Sequence, residues 1–410
     1  METGTVIEAP QLPSFYPPQR ILLGPGPSNV LQRVLDAMAR PTIGHLDPRF
    51  GEMMEQVKVL LRYAFQTENS LTFPISAPAS VGMESCFVNL VEPGDKVIVC
   101  ANGVFGRRMA ENVKRCRGEL VLVEDAWGKP VDPQKVEDAC LAHPDARILA
   151  FVHAETSTGV QSDVKLLTEI AHRHEALVIV DAVTSLGSTP VLVDKWGIDA
   201  VYAGSQKGLS CTPGLSPISF GERAIEKLKS RKTPVSSWFM DLNLVLAYWN
   251  QGRRTYHHTA PVNALYALHE SLLMLAEEGL EASWMRHRSN HLALLAGLQA
   301  LGLELLVEEQ SRLPQLNAVL VPAGVSETQV RDDMLNLHDV EIGAGLGDLA
   351  GKIFRVGLMG NGSSRTNVNT CLLALESVLA AQGWKISPGA AVAAAEQVWA
   401  STGRMAGEAG

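Results

Sequence analysis

Along the first two-thirds of the chain, short unbroken apolar runs alternate with longer stretches whose apolar residues recur every three or four positions. The runs predict strands buried on both faces, and the stretches between them predict amphipathic helices. In order, the pattern predicts a helix over Val30–Ala39 capped by Ser28 or Asn29, a helix over Phe50–Phe65 and a strand over Leu71–Ile75. A tight loop at Ser76–Ser80 and a helix over Val81–Val91 follow. Strands at Lys96–Ala101, Leu120–Val123, Ile148–Val152, Ala176–Val180 and Ile198–Ala203 then alternate with helices, among them Pro133–Ala142 and Val164–Ala171. Such alternation predicts an α/β fold with a mostly parallel sheet and helices on both faces.

The pattern changes after a helix at Glu222–Lys229 and a long amphipathic helix that starts near Ala260. It then predicts a helix Ala282–Leu301, strands Leu303–Leu306 and Ala318–Val321, a helix Glu327–Asn336, a strand Lys352–Val356 and a helix Arg365–Ala381. That set is a small α+β unit. The expected organisation is a proline-rich N-terminal arm over 1–19, a large domain over 20–279, a smaller domain over 280–387 and a tail over 388–410. The tail is expected to hold one short helix and a frayed end.

Composition narrows the functional classes. Net charge is −9, and the densest basic run, Lys227–Lys232, reads as a solvated helix end, so nucleic acid is not expected as a partner. The 6 cysteines are scattered without a Cys-x-x-Cys spacing, which argues against a zinc site and a disulfide framework and for a reducing, cytoplasmic setting. Neither a leader pattern nor an apolar run of about 18 residues is present, so a membrane is not expected. Two motifs are set aside: Gly345-Leu-Gly347 precedes a strand rather than a helix, and His287 with His291 lacks a third ligand, which leaves a solvated or interface helix face.

Two residues carry more weight. Asp181 ends one apolar run, and Lys207 follows another in Gly204-Ser-Gln-Lys-Gly208. Open α/β sheets bind ligands beyond the carboxyl ends of their strands, which brings both residues to one crevice. A lysine beside a carboxylate fits pyridoxal 5'-phosphate, which attaches to a lysine and uses an acid to keep its ring nitrogen protonated. The Ser76–Ser80 loop, opening a helix, is a candidate phosphate site, and Gly26 in Gly24-Pro-Gly-Pro27 lets main chain pass close to a substrate.

With Leu23–Asn29, Glu92-Pro-Gly-Asp95, Glu155-Thr-Ser-Thr-Gly159, Val180-Asp-Ala182, Gly204–Lys207, Tyr256-His-His-Thr259 and Arg355–Gly360, the chain resembles the class V, fold-type-I pyridoxal-phosphate aminotransferases. It is most similar to their alanine–glyoxylate / serine–pyruvate branch. The resemblance implies that Lys207 forms the Schiff base and shuttles the proton, while Asp181 holds the pyridinium. It places Phe105 against the ring and Thr156 at its phenolate oxygen. Phosphate donors would be Ala79, Ser80 and Gln206, with Tyr256 and Thr259 supplied by the second subunit of a homodimer. Pro78 departs from the Ser-Gly-x-Gly loop common in the family and puts the loop donors in question. Arg355 would clamp the substrate carboxylate, with Gly26 and His45 beside it.

The implied reaction is ping-pong amino transfer from alanine or serine to glyoxylate or pyruvate. Two alternatives stay open. One is ureidoglycine–glyoxylate transfer, whose enzymes resemble this chain in Asp47-Pro48 and Glu155–Gly159 but carry amide side chains at the positions matching His45 and Tyr256. The other is a desulfurase using Cys211, for which a buried structural thiol is the competing reading.

Overall fold

The computed structural model describes residues 7–249 and 255–408, the side chains of 402–408 excepted; the start of the arm and the last two residues of the tail lie outside them. Seven strands form the main sheet in the order Leu71–Ile75, Ser216–Phe220, Ala200–Tyr202, Leu177–Asp181, Ile148–Val152, Lys96–Ala101, Glu119–Glu124. Ser216–Phe220 alone runs against its two neighbours in this sheet. The remaining pairings are parallel, as the alternation of runs and helices requires. Pro74 is tolerated because its strand lies at the sheet edge.

Helices Pro48–Phe65, Ala79–Leu90, Val104–Arg115, Pro133–Ala142, Val164–Arg173 and Val262–Glu278 cover the sheet and share one apolar core with it. A second core gathers around a three-stranded antiparallel sheet, Leu316–Leu320, Ile353–Gly357 and Gly343–Ala344, backed by helices Leu280–Ala300, Glu327–His338 and Arg365–Ala381. The chain start belongs to this second core: Ile21–Leu22 pairs in parallel with Val340–Glu341, and Leu23 is buried within it.

Several expectations are corrected. Neither Ser28 nor Asn29 caps the first helix, which spans Gln32–Met38. Ser28 Oγ instead donates to the carbonyl of Lys207 at 2.9 Å, and Asn29 Oδ1 accepts from the Leu22 N–H at 3.0 Å. Leu303–Leu306 is not a strand; it makes an isolated bridge through Leu305 to Val319 before the chain turns away. The tail is a helix of 19 residues, Ala390–Glu408, packed along Leu280–Ala300. Ala391, Ala395 and Trp399, four apart, form its buried stripe, and the small alanines let the helices approach closely. An unexpected helix, Leu242–Trp249, buries Leu242, Val245, Tyr248 and Trp249.

His287 and His291 are buried rather than solvated. His287 Nε2 accepts from the Gly360 N–H at 2.9 Å, and His291 Nδ1 pairs with Asn317 Oδ1 at 2.7 Å. Both are occupied as structural hydrogen-bonding groups.

Candidate active site

The carboxyl ends of the parallel strands Leu177–Asp181 and Ile148–Val152 open onto a pocket of about 240 Å³. Asp181, Lys207, Ala79, Ser80, Phe105, Thr156 and Gln206 all line it. Asp181 sits at the tip of an apolar strand, and burial pushes its carboxyl up to about 6, even though Tyr202 Oη donates to it at 2.7 Å and the Val183 N–H at 2.8 Å. Tyr202 is its register partner on the next strand.

Lys207 lies in the turn after Ala200–Tyr202. Burial and the nearby Arg355 guanidinium hold its amine down to about 8, against the opposing pull of Asp181 and Glu155. Its Nζ donates to the carbonyl of Pro25. The segment that carries Pro25 is clamped on this turn, since the Ser28 N–H donates to the Gln206 carbonyl at 2.8 Å. Gly26 packs directly against the lysine: its φ is +105°, and a Cβ there would lie 2.6 Å from Lys207 Cδ.

At the other end of the pocket, Pro78 is the N-cap of helix Ala79–Leu90, and the helix begins two residues earlier than the pattern predicts. The missing N–H of Pro78 therefore falls outside the helix, while the N–H groups of Ala79 and Ser80 head its first turn without intrahelical acceptors. Gln206 presents a buried amide oxygen with no partner.

Glu155 organises the third wall. Its buried carboxylate accepts from the N–H groups of Phe105 (3.1 Å) and Gly106 (3.3 Å) and from the N–H and Oγ of Ser157 (3.1 and 2.6 Å). Those bonds fasten the start of helix Val104–Arg115 to the strand-end turn that carries Thr156. Gly103 is needed there, because a Cβ would lie 2.5 Å from Glu155 Cδ. Burial raises the Glu155 carboxyl.

Arg355 stands on Ile353–Gly357 of the second core, only 6% exposed. Its Nε donates to the Ala344 carbonyl at 2.6 Å and one terminal nitrogen to the Thr156 carbonyl at 3.1 Å. No carboxylate pairs with it among the described residues, and burial lowers its pKa to about 10. It thus borders the pocket through Thr156 without lining it.

His45, Tyr256 and Thr259 are not among the residues that line this chain's pocket. The His45 and Tyr256 rings lie tilted against each other, 5.6 Å between centroids, and Tyr256 is 61% exposed, as Thr259 is exposed. Cys211 is buried with its thiol pushed up to about 11, which disfavours the thiolate. Glu155, Tyr202 and Ser28 are site residues that pattern reading misses. Glu155 lay within a quoted motif, but its role depends on a helix 50 residues away in sequence.

A buried lysine and carboxylate beyond the strand ends, with helix N–H groups opposite and an arginine without a carboxylate partner alongside, form a candidate enzyme site. The aminotransferase class-V family profile matches residues 21–358. The chain is 41% identical to an alanine–glyoxylate aminotransferase of Oryctolagus cuniculus over 88% of its own length and 93% of the relative's. Among solved structures, an alanine–glyoxylate aminotransferase from Nostoc sp. superposes with a TM-score of 0.88 at 45% identity, covering 90% of this chain and 97% of that one. A ureidoglycine–glyoxylate aminotransferase from Bacillus subtilis superposes with a TM-score of 0.92 at 37% identity, covering 94% and 100%. The chain belongs to the class-V aminotransferase family, and it is an aminotransferase of fold type I.

Proposed function

We infer that the enzyme moves an amino group from alanine or serine to glyoxylate or pyruvate, with pyridoxal 5'-phosphate held at Lys207. The observation that carries this reading is the buried Lys207–Asp181 pair at one end of a pocket whose other end is a helix N-terminus. The residues fit the cofactor: Asp181 suits a ring nitrogen, and the Ala79 and Ser80 N–H groups, with the side-chain NH2 of the pocket-lining Gln206, suit a phosphate. Bound there, the cofactor supplies a ring that withdraws electrons from the substrate α-carbon.

The protein's own groups do the rest. The Asp181 carboxylate, oriented by Tyr202 and the Val183 N–H, holds a proton at the ring nitrogen. Phe105, whose N–H is fixed by Glu155, would hold the ring, and the Thr156 hydroxyl would hold its oxygen. Lys207 Nζ, held down to about 8, takes and returns a proton. Arg355 binds the substrate carboxylate through a planar fork that suits a bidentate grip. Both half-reactions use one site, so the kinetics are ping-pong.

Exposure of Tyr256 and Thr259, away from their own pocket, supports a homodimer in which each chain completes its partner's phosphate site. The free cysteines support a cytoplasmic setting, and among the described residues no helix is long and apolar enough to cross a membrane.

The likeness to the Bacillus subtilis enzyme favours a second reading, with ureidoglycine as donor. Against it, His45 and Tyr256 are an imidazole and a phenol where the resemblance gives the ureidoglycine enzymes carboxamides, whose adjacent NH2 and C=O neither side chain reproduces. A panel of amino donors against glyoxylate decides: alanine or serine is expected to be fastest, and faster turnover with ureidoglycine would overturn the reading.

A further inference from the structure

We propose that Arg108, which no motif singles out, is the cation that neutralises the cofactor phosphate in this protein; the inference rests on the pyridoxal-phosphate reading above. Only Lys207 and Arg108 are basic among the residues lining the pocket, and Lys207 stands at the Asp181 end. Arg108 reaches the opposite end. One of its terminal nitrogens donates to Ser80 Oγ at 3.3 Å, at the first turn of helix Ala79–Leu90.

The other groups near that end bring no charge. The helix N–H groups are dipoles, Gln206 is an amide, and burial holds the His258 imidazole, which pairs with Ser76 Oγ at 2.8 Å, down to about 4, so it is neutral at pH 7. A phosphate monoester carries close to two negative charges at that pH. Dipoles alone leave such a charge uncompensated in a partly closed pocket.

Arg108 is also free for the task and held in place for it. Its neighbour Arg107 is paired with Glu124 at 3.5 Å, whereas no carboxylate claims Arg108 among the described residues. The guanidinium lies 5.0 Å from the centroid of the Phe105 ring, one turn away on the same helix. The side chain that packs on the cofactor ring therefore also positions the cation, and the Glu155 carboxylate that fastens this helix start orders both.

The test titrates cofactor-free protein with pyridoxal phosphate and, separately, with pyridoxal, following absorbance and intrinsic fluorescence. Arg108→Gln is expected to weaken pyridoxal phosphate about 10- to 100-fold, the loss of a hydrogen-bonded charged partner, while leaving pyridoxal affinity as in the wild type. Arg108→Lys keeps the charge and is expected to recover part of the loss. Pyridoxal-phosphate affinity unchanged in Arg108→Gln overturns the proposal, as does an equal loss for both ligands, which marks general damage. If the wild-type protein captures neither ligand at Lys207, the cofactor reading itself fails, and this outcome is separate from a wild type that binds and a variant that binds equally well.

Discussion

Replacing Asp181 with asparagine separates what the carboxylate does for chemistry from what it does to the fold. Its carboxyl is buried and rises from an ordinary 3.8 to about 6 on folding, a gap worth about 3 kcal/mol. A carboxyl with a raised folded pKa holds its proton more tightly in the folded state. Stability is therefore greatest below about pH 3.8, falls as the pH rises to about 6 and is level above that. Asparagine is uncharged throughout. It keeps an acceptor for the Val183 N–H and offers the Tyr202 hydroxyl a donor. Part of the gain is offset because the Asp181 charge also attracts Lys207, leaving roughly 1–3 kcal/mol in favour of the variant at pH 7. An unfolding entropy of ~2.1 cal/mol/K per residue over 410 residues converts this to a rise in Tm of ~1–3 °C. Scanning calorimetry of cofactor-free Asp181→Asn and wild type should show a difference that is absent near pH 4 and complete by pH 7. Turnover of the loaded variant should meanwhile fall ~10²–10³-fold for want of a charge at the ring nitrogen. A difference independent of pH, or a variant less stable at pH 7, would refute the reasoning.

Arg355→Ala should leave cofactor bound while weakening every carboxylate substrate by ~2–5 kcal/mol, read as parallel rises in KM for the amino donor and the keto acid; an unchanged KM for either removes Arg355 from the clamp. A mixed dimer carrying Lys207→Ala on one chain and Tyr256→Ala with Thr259→Ala on the other should keep one nearly intact site. If each site were self-contained, that dimer would lose the full activity of both.

The main sheet was legible because strands buried on both faces write themselves as apolar runs, and Asp181 and Lys207 stood out as charges at the ends of two such runs. What the runs do not encode is register. Tyr202 becomes the partner of Asp181 only through the parallel pairing of their strands. Glu155 acts on a helix start that sequence keeps far away, and Ser28, a good capping residue by type, is drawn to the Lys207 turn instead. The tail helix was expected, but as a short one; its full length and its packing against Leu280–Ala300 were not legible because its buried stripe is built mostly of alanine, a small apolar signal. The buried state of His287 and His291 had the same cause: their i, i+4 spacing marks one face but does not say what covers it.

The central claim is that amino transfer runs through a cofactor attached at Lys207. Reduction of the loaded enzyme with borohydride, followed by peptide mass mapping, tests it most directly when paired with the alanine–glyoxylate assay of Lys207→Ala. The account predicts the cofactor's mass on the peptide that contains Lys207, and neither that mark nor amino transfer in the variant. A mark on a different lysine, or transfer by Lys207→Ala at near the wild-type rate, would contradict it.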